Sequence, residues 1–217
     1  MKKGKLIVLE GADCSGKSTV IEKLKIVLPV ISDDNFVFSR EPGSTLPESH
    51  DECEEIRKEI LSSYDITPEK QTELFAKSRL IHTKEIIKEL NKGNNVILDR
   101  YLLSSMIYQG EELGKQYVIY KNKEIIKLLQ ENNITIHNIV FQMSEETYLK
   151  RLEKRNEHLD ALEQVDYDKV LKRIYAFNSL SYGQIDDINF IYEVDADGEN
   201  YARICIDTLS RINEIIK

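Results

Sequence analysis

Residues 5–19, KLIVLEGADCSGKST, carry the reading on which the fold turns. Leu6 to Leu9 form an unbroken apolar run, the pattern of a strand buried on both faces of a parallel sheet. From Gly11 to Ser18 the chain fits GxxxxGK[ST]. Glycines in such a loop let backbone N–H groups turn inward on phosphate oxygens, and the loop runs into the positive end of a helix beginning near Lys17. Lys17 is then placed for the β- and γ-phosphates, and the Ser18 hydroxyl for Mg²⁺. Strand, loop and helix in succession predict a nucleoside triphosphate site.

Outward from this stretch, Thr19 to Leu28 is apolar at helical spacing and is expected to close at Pro29. NFVFS at 35–39, NVILD at 95–99, HNIVFQM at 137–143 and residues 189–194 read as four further strands. Between them lie helical stretches at 48–63, 68–92, 101–110, 115–132, 144–158 and 166–181, with a terminal helix over 199–216. Thr67 caps the longest of these, Pro68 takes its first turn and Gly93 ends it. Strands separated by helices imply βαβ units. The expected architecture is therefore α/β, a five-stranded parallel sheet wrapped by helices, in a single domain over residues 1–217.

Composition narrows the class. Apolar residues make up 41% and charged residues 31% of 217, as in a soluble globular protein with a full core. The 30 basic and 38 acidic residues give a charge of −8, against the basic face that nucleic-acid binding needs. Cys14, Cys53 and Cys205 form no CxxC pair and no zinc spacing, which fits a reducing compartment. MKKGK enters the first strand with no apolar leader, and no run approaches a membrane span. A cytoplasmic protein is expected, with no membrane and no nucleic-acid partner.

Ligands of open α/β sheets bind beyond the carboxyl ends of the strands, and three clusters fall there or close by. The first is Arg40-Glu41-Pro42-Gly43-Ser44-Thr45; an Arg held by a turn can clamp phosphate with two N–H bonds, or pair with a surface acid instead. The second is Asp99-Arg100-Tyr101, followed by Ser104, Ser105, Tyr108, Gln109 and Gly110. An Asp ending the strand beside the glycine loop can hold a Mg²⁺ water while Arg100 neutralises phosphate. The third is Phe75 and Arg79, one helical turn apart on one face that continues to His82 and Ile86. An aromatic face beside a guanidinium suits a nucleobase, although a core Phe next to a solvated Arg has the same spacing.

Taken in order, GADCSGKST, SREPGST, ELFAKSRLIH, LDRYLLSSMIYQG and DYDKVLKRIYAFNSL resemble the thymidylate kinase family over nearly the whole chain. The resemblance implies a P-loop NTPase fold with a short helical lid, about residues 150–164, a homodimer, and transfer of phosphate from ATP to dTMP to give dTDP and ADP. It implies that Gly11, Asp13, Cys14, Ser15, Gly16, Lys17, Ser18, Thr19 and Arg151 bind ATP, and that Ser18 and Asp99 serve Mg²⁺. For the acceptor it implies Asp13 on the 3′-hydroxyl, Arg40 and Arg100 on the monophosphate, and Phe75 stacked on thymine. Arg79 would bond its O4, Ser105 would lie near N3, Tyr108 under the sugar against a 2′-hydroxyl, and Gln109 nearby. Lys17, Asp99, Arg100 and Arg155 form the expected catalytic set.

The chain departs from that pattern in four places. Cys14 stands where one group of the family has a loop Arg, so lid arginines are expected to compensate. The lid KRLEKRNEHLDALEQ supplies Arg151, Lys154 and Arg155, but Asp160-Ala161-Leu162-Glu163 replaces the usual DRxE, one arginine short. Arg155 is assigned to the transition state, and Arg151 to adenine stacking or a phosphate. Ser44 replaces a second Gly, and an acidic stretch, ESHDECEE at 48–55, lengthens the path to the Ile56, Arg57 pair. Two other functions fit the same residues: a nucleotide kinase of different base choice, and a weakly catalytic nucleotide-binding regulator.

Overall fold

The computed structural model describes residues 2–62, 66–154 and 166–217. One sheet runs through them, with strand order β2-β3-β1-β4-β6-β5. Its strands are β1 (Leu6–Gly11), β2 (Phe36–Arg40), β3 (Asn95–Asp99), β4 (Ile136–Gln142), β5 (Gly183–Gln184) and β6 (Asn189–Asp195). Five are parallel, and β5 pairs antiparallel with β6. The sheet is thus six-stranded rather than five-stranded. A two-residue strand beginning with Gly is too short to show alternation, which is why periodicity passed over it.

All six residues of β1 are buried because it lies mid-sheet between β3 and β4. Its side chains alternate between two cores. Ile7 and Leu9 face α1 (Lys17–Ile31), α9 (Tyr167–Asn178) and α10 (Tyr201–Ile216) through Val20, Leu24, Phe177 and Ile212. Leu6 and Val8 face α3 (Pro68–Asn91) and α7 (Lys123–Glu131) through Ile86, Leu90, Ile125 and Leu129. Helices therefore cover both faces, as the apolar runs required.

The expected helix over 48–63 is α2 (His50–Ser62), and Glu85 of α3 receives the Glu48 and Ser49 N–H groups just ahead of it at 3.0 and 2.8 Å. The stretch 101–110 forms α4 (Leu102–Tyr108), followed by the short α5 (Gly110–Leu113), while 115–132 is divided into α6 (Lys115–Lys121) and α7. After β4 comes α8 (Glu145–Lys154). Lys150–Lys154 of the expected lid belong to α8, while its remainder, including Arg155, lies outside the described residues.

Helix α1 does not close at Pro29 but continues to Ile31, where Ser32 N–H bonds the Leu28 carbonyl at 3.1 Å. Pro29 removes the bond that would reach Lys25, and both residues are exposed, so water can serve that carbonyl.

His137, partly buried on β4, gives a pH handle on stability. Burial, with Lys5 adding a like charge, lowers its pKa from 6.5 to about 4. The unfolded chain protonates near 6.5 and the native state only near 4, so stability falls as pH drops through that window. His137→Gln should lose about 2 kcal/mol less than wild type between pH 7 and 4.5, in urea unfolding at both values. Equal losses would place the acid sensitivity elsewhere.

Candidate active site

The glycine loop leaves β1 at Gly11 (φ +149°) and enters α1 at Gly16, a left-handed N-cap (φ +93°). A Cβ on Gly16 would come within 3.0 Å of the Tyr201 ring, so conformation and space both call for glycine there. Lys17 is buried and donates to the Gly11 and Ala12 carbonyls at 2.9 and 2.8 Å and to Ser15 Oγ at 3.0 Å. Burial, then the neighbouring Arg100, lowers its pKa to about 8.

Register sets the second wall. Leu9 pairs with Asp99 across β1 and β3, which brings the Asp99-Arg100-Tyr101 turn against the loop. Ser18 Oγ lies 3.3 Å from Asp99 Oδ2, while Asp99 Oδ1 is buried without a hydrogen-bond partner. Arg100, at φ +65°, donates to the Gly11 carbonyl at 2.9 Å, to Ser104 Oγ at 3.0 Å and to Asp13. Tyr108 donates to the other Asp13 oxygen at 3.0 Å. Burial works against a charge on Asp13, but Arg100 and then Lys17 hold its carboxyl below the usual range. Arg100 and Arg173 flank the Tyr108 ring, at 5.1 and 4.4 Å from its centroid.

At the far end, Phe75 packs among Ile56, Ile60 and Leu74, and Arg79 is 1% exposed. Arg79 is thus not the solvated residue its spacing also allowed. Its Nε pairs with Glu41 at 2.6 Å, Nη1 bonds Asn122 Oδ1 at 2.8 Å, and Nη2 bonds Ser105 Oγ at 2.8 Å and the Tyr101 carbonyl at 3.3 Å. Glu41 also meets His82 Nδ1 at 3.3 Å. Arg40 reaches outward instead, to Glu54 of the acidic stretch at 3.0 Å, and Glu54 in turn accepts the Ser44 N–H at 3.1 Å. Gln109 donates to Gln71 at 3.3 Å.

At the loop end, Arg151 donates to the Cys14 carbonyl at 3.0 Å and to the Ala196 and Gly198 carbonyls at 2.6 and 2.7 Å. Its guanidinium lies 5.0 Å over the Tyr201 ring. Backbone oxygens therefore engage both terminal nitrogens, tying the glycine loop to the β6–α10 connection.

One cleft of ≈ 550 Å³ joins these parts. It is lined by Asp13 to Thr19, Arg40, Phe75, Arg79, Asp99, Arg100, Ser105, Tyr108, Gln109 and Arg151. Of the described residues expected from sequence only Gly11 is not on its wall, and its carbonyl serves Lys17 and Arg100; Arg155 lies outside the described residues. Leu61 and Tyr201, which sequence reasoning passed over, also line it, as does Arg57, which it named only for its distance from Arg40. It passed over Glu10 as well, which is fully buried and accepts the Tyr101 and Ser104 N–H groups at 2.9 and 3.2 Å. A Glu closing an otherwise apolar strand was the available signal for that residue.

Fold and site together define an α/β protein that gathers anion-binding groups, a glycine loop with its lysine and several arginines, at the carboxyl ends of a parallel sheet. A thymidylate kinase family model matches residues 9–197. The thymidylate kinase of Mycoplasma mobile is 35% identical over 97% of this chain and 99% of its own length. That of Brachyspira hyodysenteriae is 31% identical over 98% and 95%. A solved thymidylate kinase from Candida albicans shares the fold, with TM-score 0.66 and 20% identity over 98% of this chain and 92% of that one. The chain belongs to the thymidylate kinase family.

Proposed function

We propose that this protein transfers the γ-phosphoryl group of ATP to dTMP, giving dTDP and ADP. The observation that carries the reading is the continuity of the cleft, from the glycine loop, past Arg100 and Asp13, to Phe75, Arg79 and Ser105. A donor alone would leave the Phe75 end without a purpose.

Phosphoryl transfer asks a protein for alignment and for positive charge around the reacting oxygens, with little covalent chemistry. Loop N–H groups, Lys17 and the α1 N-terminus would hold the donor phosphates. Lys17 would exchange a loop acceptor for a phosphate oxygen. Arg100 would bridge toward the acceptor phosphate, with Arg40 joining it by leaving Glu54. Asp13, oriented by Arg100 and Tyr108, would accept the 3′-hydroxyl, and Tyr108 would close the space of a 2′-hydroxyl. Phe75 would stack on the base while Arg79 and Ser105 read its edge. Arg151 would border the adenine at Tyr201, and Arg155 would meet the transferring group.

The residues fit Mg²⁺. Among the described residues no cluster of three or more His, Cys, Asp or Glu could cage a metal, but Mg²⁺ usually takes one or two protein oxygens plus waters and phosphates. Asp99, with its unpartnered oxygen, and Ser18 would hold it, and when bound it supplies charge neutralisation at the phosphates. From the resemblance and the composition we propose further that the protein is a cytoplasmic homodimer. No described helix is long and apolar enough to cross a membrane.

Coupled ADP release with ATP and Mg²⁺ tests the activity, with dTMP, dUMP, dGMP, dCMP and thymidine compared as acceptors. Strong preference for dTMP, and a rate about 10²-fold lower in Arg155→Ala, are expected. Equal use of several bases would favour a kinase of different base choice. Binding of ATP and dTMP without dTDP would favour a regulator.

A further inference from the structure

Arg79 is held from three sides, and one of its holders comes from outside the motifs considered so far. Asn122 stands at the junction of α6 and α7, 1% exposed, and is not on the wall of the cleft. Its Oδ1 accepts from Arg79 Nη1 at 2.8 Å, and its Nδ2 donates to the Val118 carbonyl at 2.8 Å. The two bonds settle the amide's orientation: the flipped amide would set NH₂ against guanidinium N–H and carbonyl against carbonyl.

A guanidinium has five N–H donors. Here Nε–H goes to Glu41, one Nη1–H to Asn122, and the two Nη2–H to Ser105 Oγ and the Tyr101 carbonyl. Among the described residues one N–H remains, on a side chain that lines the cleft yet is almost wholly buried. A fixed single donor favours a base edge presenting a carbonyl oxygen and disfavours one presenting an amine, since donor against donor leaves both unsatisfied. That discrimination needs a guanidinium that cannot swing aside when the edge is wrong, which is what bonds on Nε, Nη1 and Nη2 together provide.

We infer that Asn122 is a positioning residue for base selection: by fixing Nη1 it holds Arg79 in place and so sets the preference for a keto-pyrimidine acceptor over cytosine. The inference rests on the proposed reading of Arg79 as the group facing the acceptor base. It places part of the selectivity outside the cleft, in the break between two helices.

Equilibrium binding of dTMP and of dCMP by titration calorimetry tests it without depending on turnover. Asn122→Leu keeps the volume and removes the acceptor; its dTMP affinity should fall about tenfold and its dTMP-to-dCMP ratio should narrow about tenfold, with ATP affinity unchanged. Asn122→Asp keeps an acceptor toward Arg79 and should hold the ratio within about twofold of wild type. If Asn122→Leu does not fold, Asn122→Ser, whose hydroxyl is too short to reach Arg79, should show the same narrowing. A selective wild type with an unchanged ratio in Asn122→Leu or Asn122→Ser overturns the inference and leaves the proposed function standing. A wild type that binds neither nucleotide overturns both.

Discussion

Arg100→Ala is expected to lower kcat for dTMP phosphorylation by about 10²- to 10³-fold and to raise the KM for dTMP. Arg100 lines the cleft, bonded to the Gly11 carbonyl, Ser104 and Asp13, and in the proposed reading it stands between donor and acceptor phosphates. On that reading, truncation would remove charge beside the reacting phosphates. It also releases Asp13, whose carboxyl keeps Tyr108 but loses the first cation that holds it ionised. Arg100→Lys should recover little. One ammonium cannot reproduce a planar fork that reaches the loop carbonyl and Ser104 with one nitrogen and Asp13 with the other. Saturating rates by coupled ADP release, with thermal unfolding to confirm that the variants fold, decide the matter. A kcat within about threefold of wild type would remove Arg100 from the chemistry.

The second large effect is on stability. Arg79→Leu should cost about 3–5 kcal/mol, because it strands the Glu41 carboxylate, with a side chain only 3% exposed, beside an unpartnered Asn122 carbonyl. For a chain of this size that is a fall in Tm of about 6–20 °C. Removing both charges in Arg79→Leu/Glu41→Leu should restore part of the loss, since two apolar side chains bury more cheaply than one uncompensated ion. His82 then loses its Glu41 partner, so recovery should stay incomplete. A double variant less stable than either single one would show that this ion pair is not the source of the cost.

What could be read without coordinates followed from local rules. The apolar runs of β1 and β3 were legible because a strand covered on both faces has no polar side to show. The loop KLIVLEGADCSGKST was legible because its chemistry is carried by neighbours in sequence. Phe75 and Arg79 were legible as a pair, since residues one turn apart share a helix face. Spacing could not say whether that Arg met water or a carboxylate; the answer lies 38 residues away at Glu41.

The residues missed share that property. Glu10 acts on Tyr101 and Ser104 across 91 and 94 positions, and Asn122 acts on Arg79 across 43. Tyr201 meets Arg151 only because α10 starts beside the glycine loop. Arg40 turns to Glu54 because the acidic stretch folds into α2 rather than staying clear of the site.

The sequence by itself therefore determined the strand-loop-helix core, the family and the identity of nearly every side chain on the cleft wall. Those depend on hydrophobic period and on residues close along the chain. Only the tertiary structure decided which charges are paired with one another, which guanidinium N–H groups are spent and which remain. Hydrogen bonds between buried groups are set by packing of distant elements, where an unmatched donor or acceptor is too costly to leave.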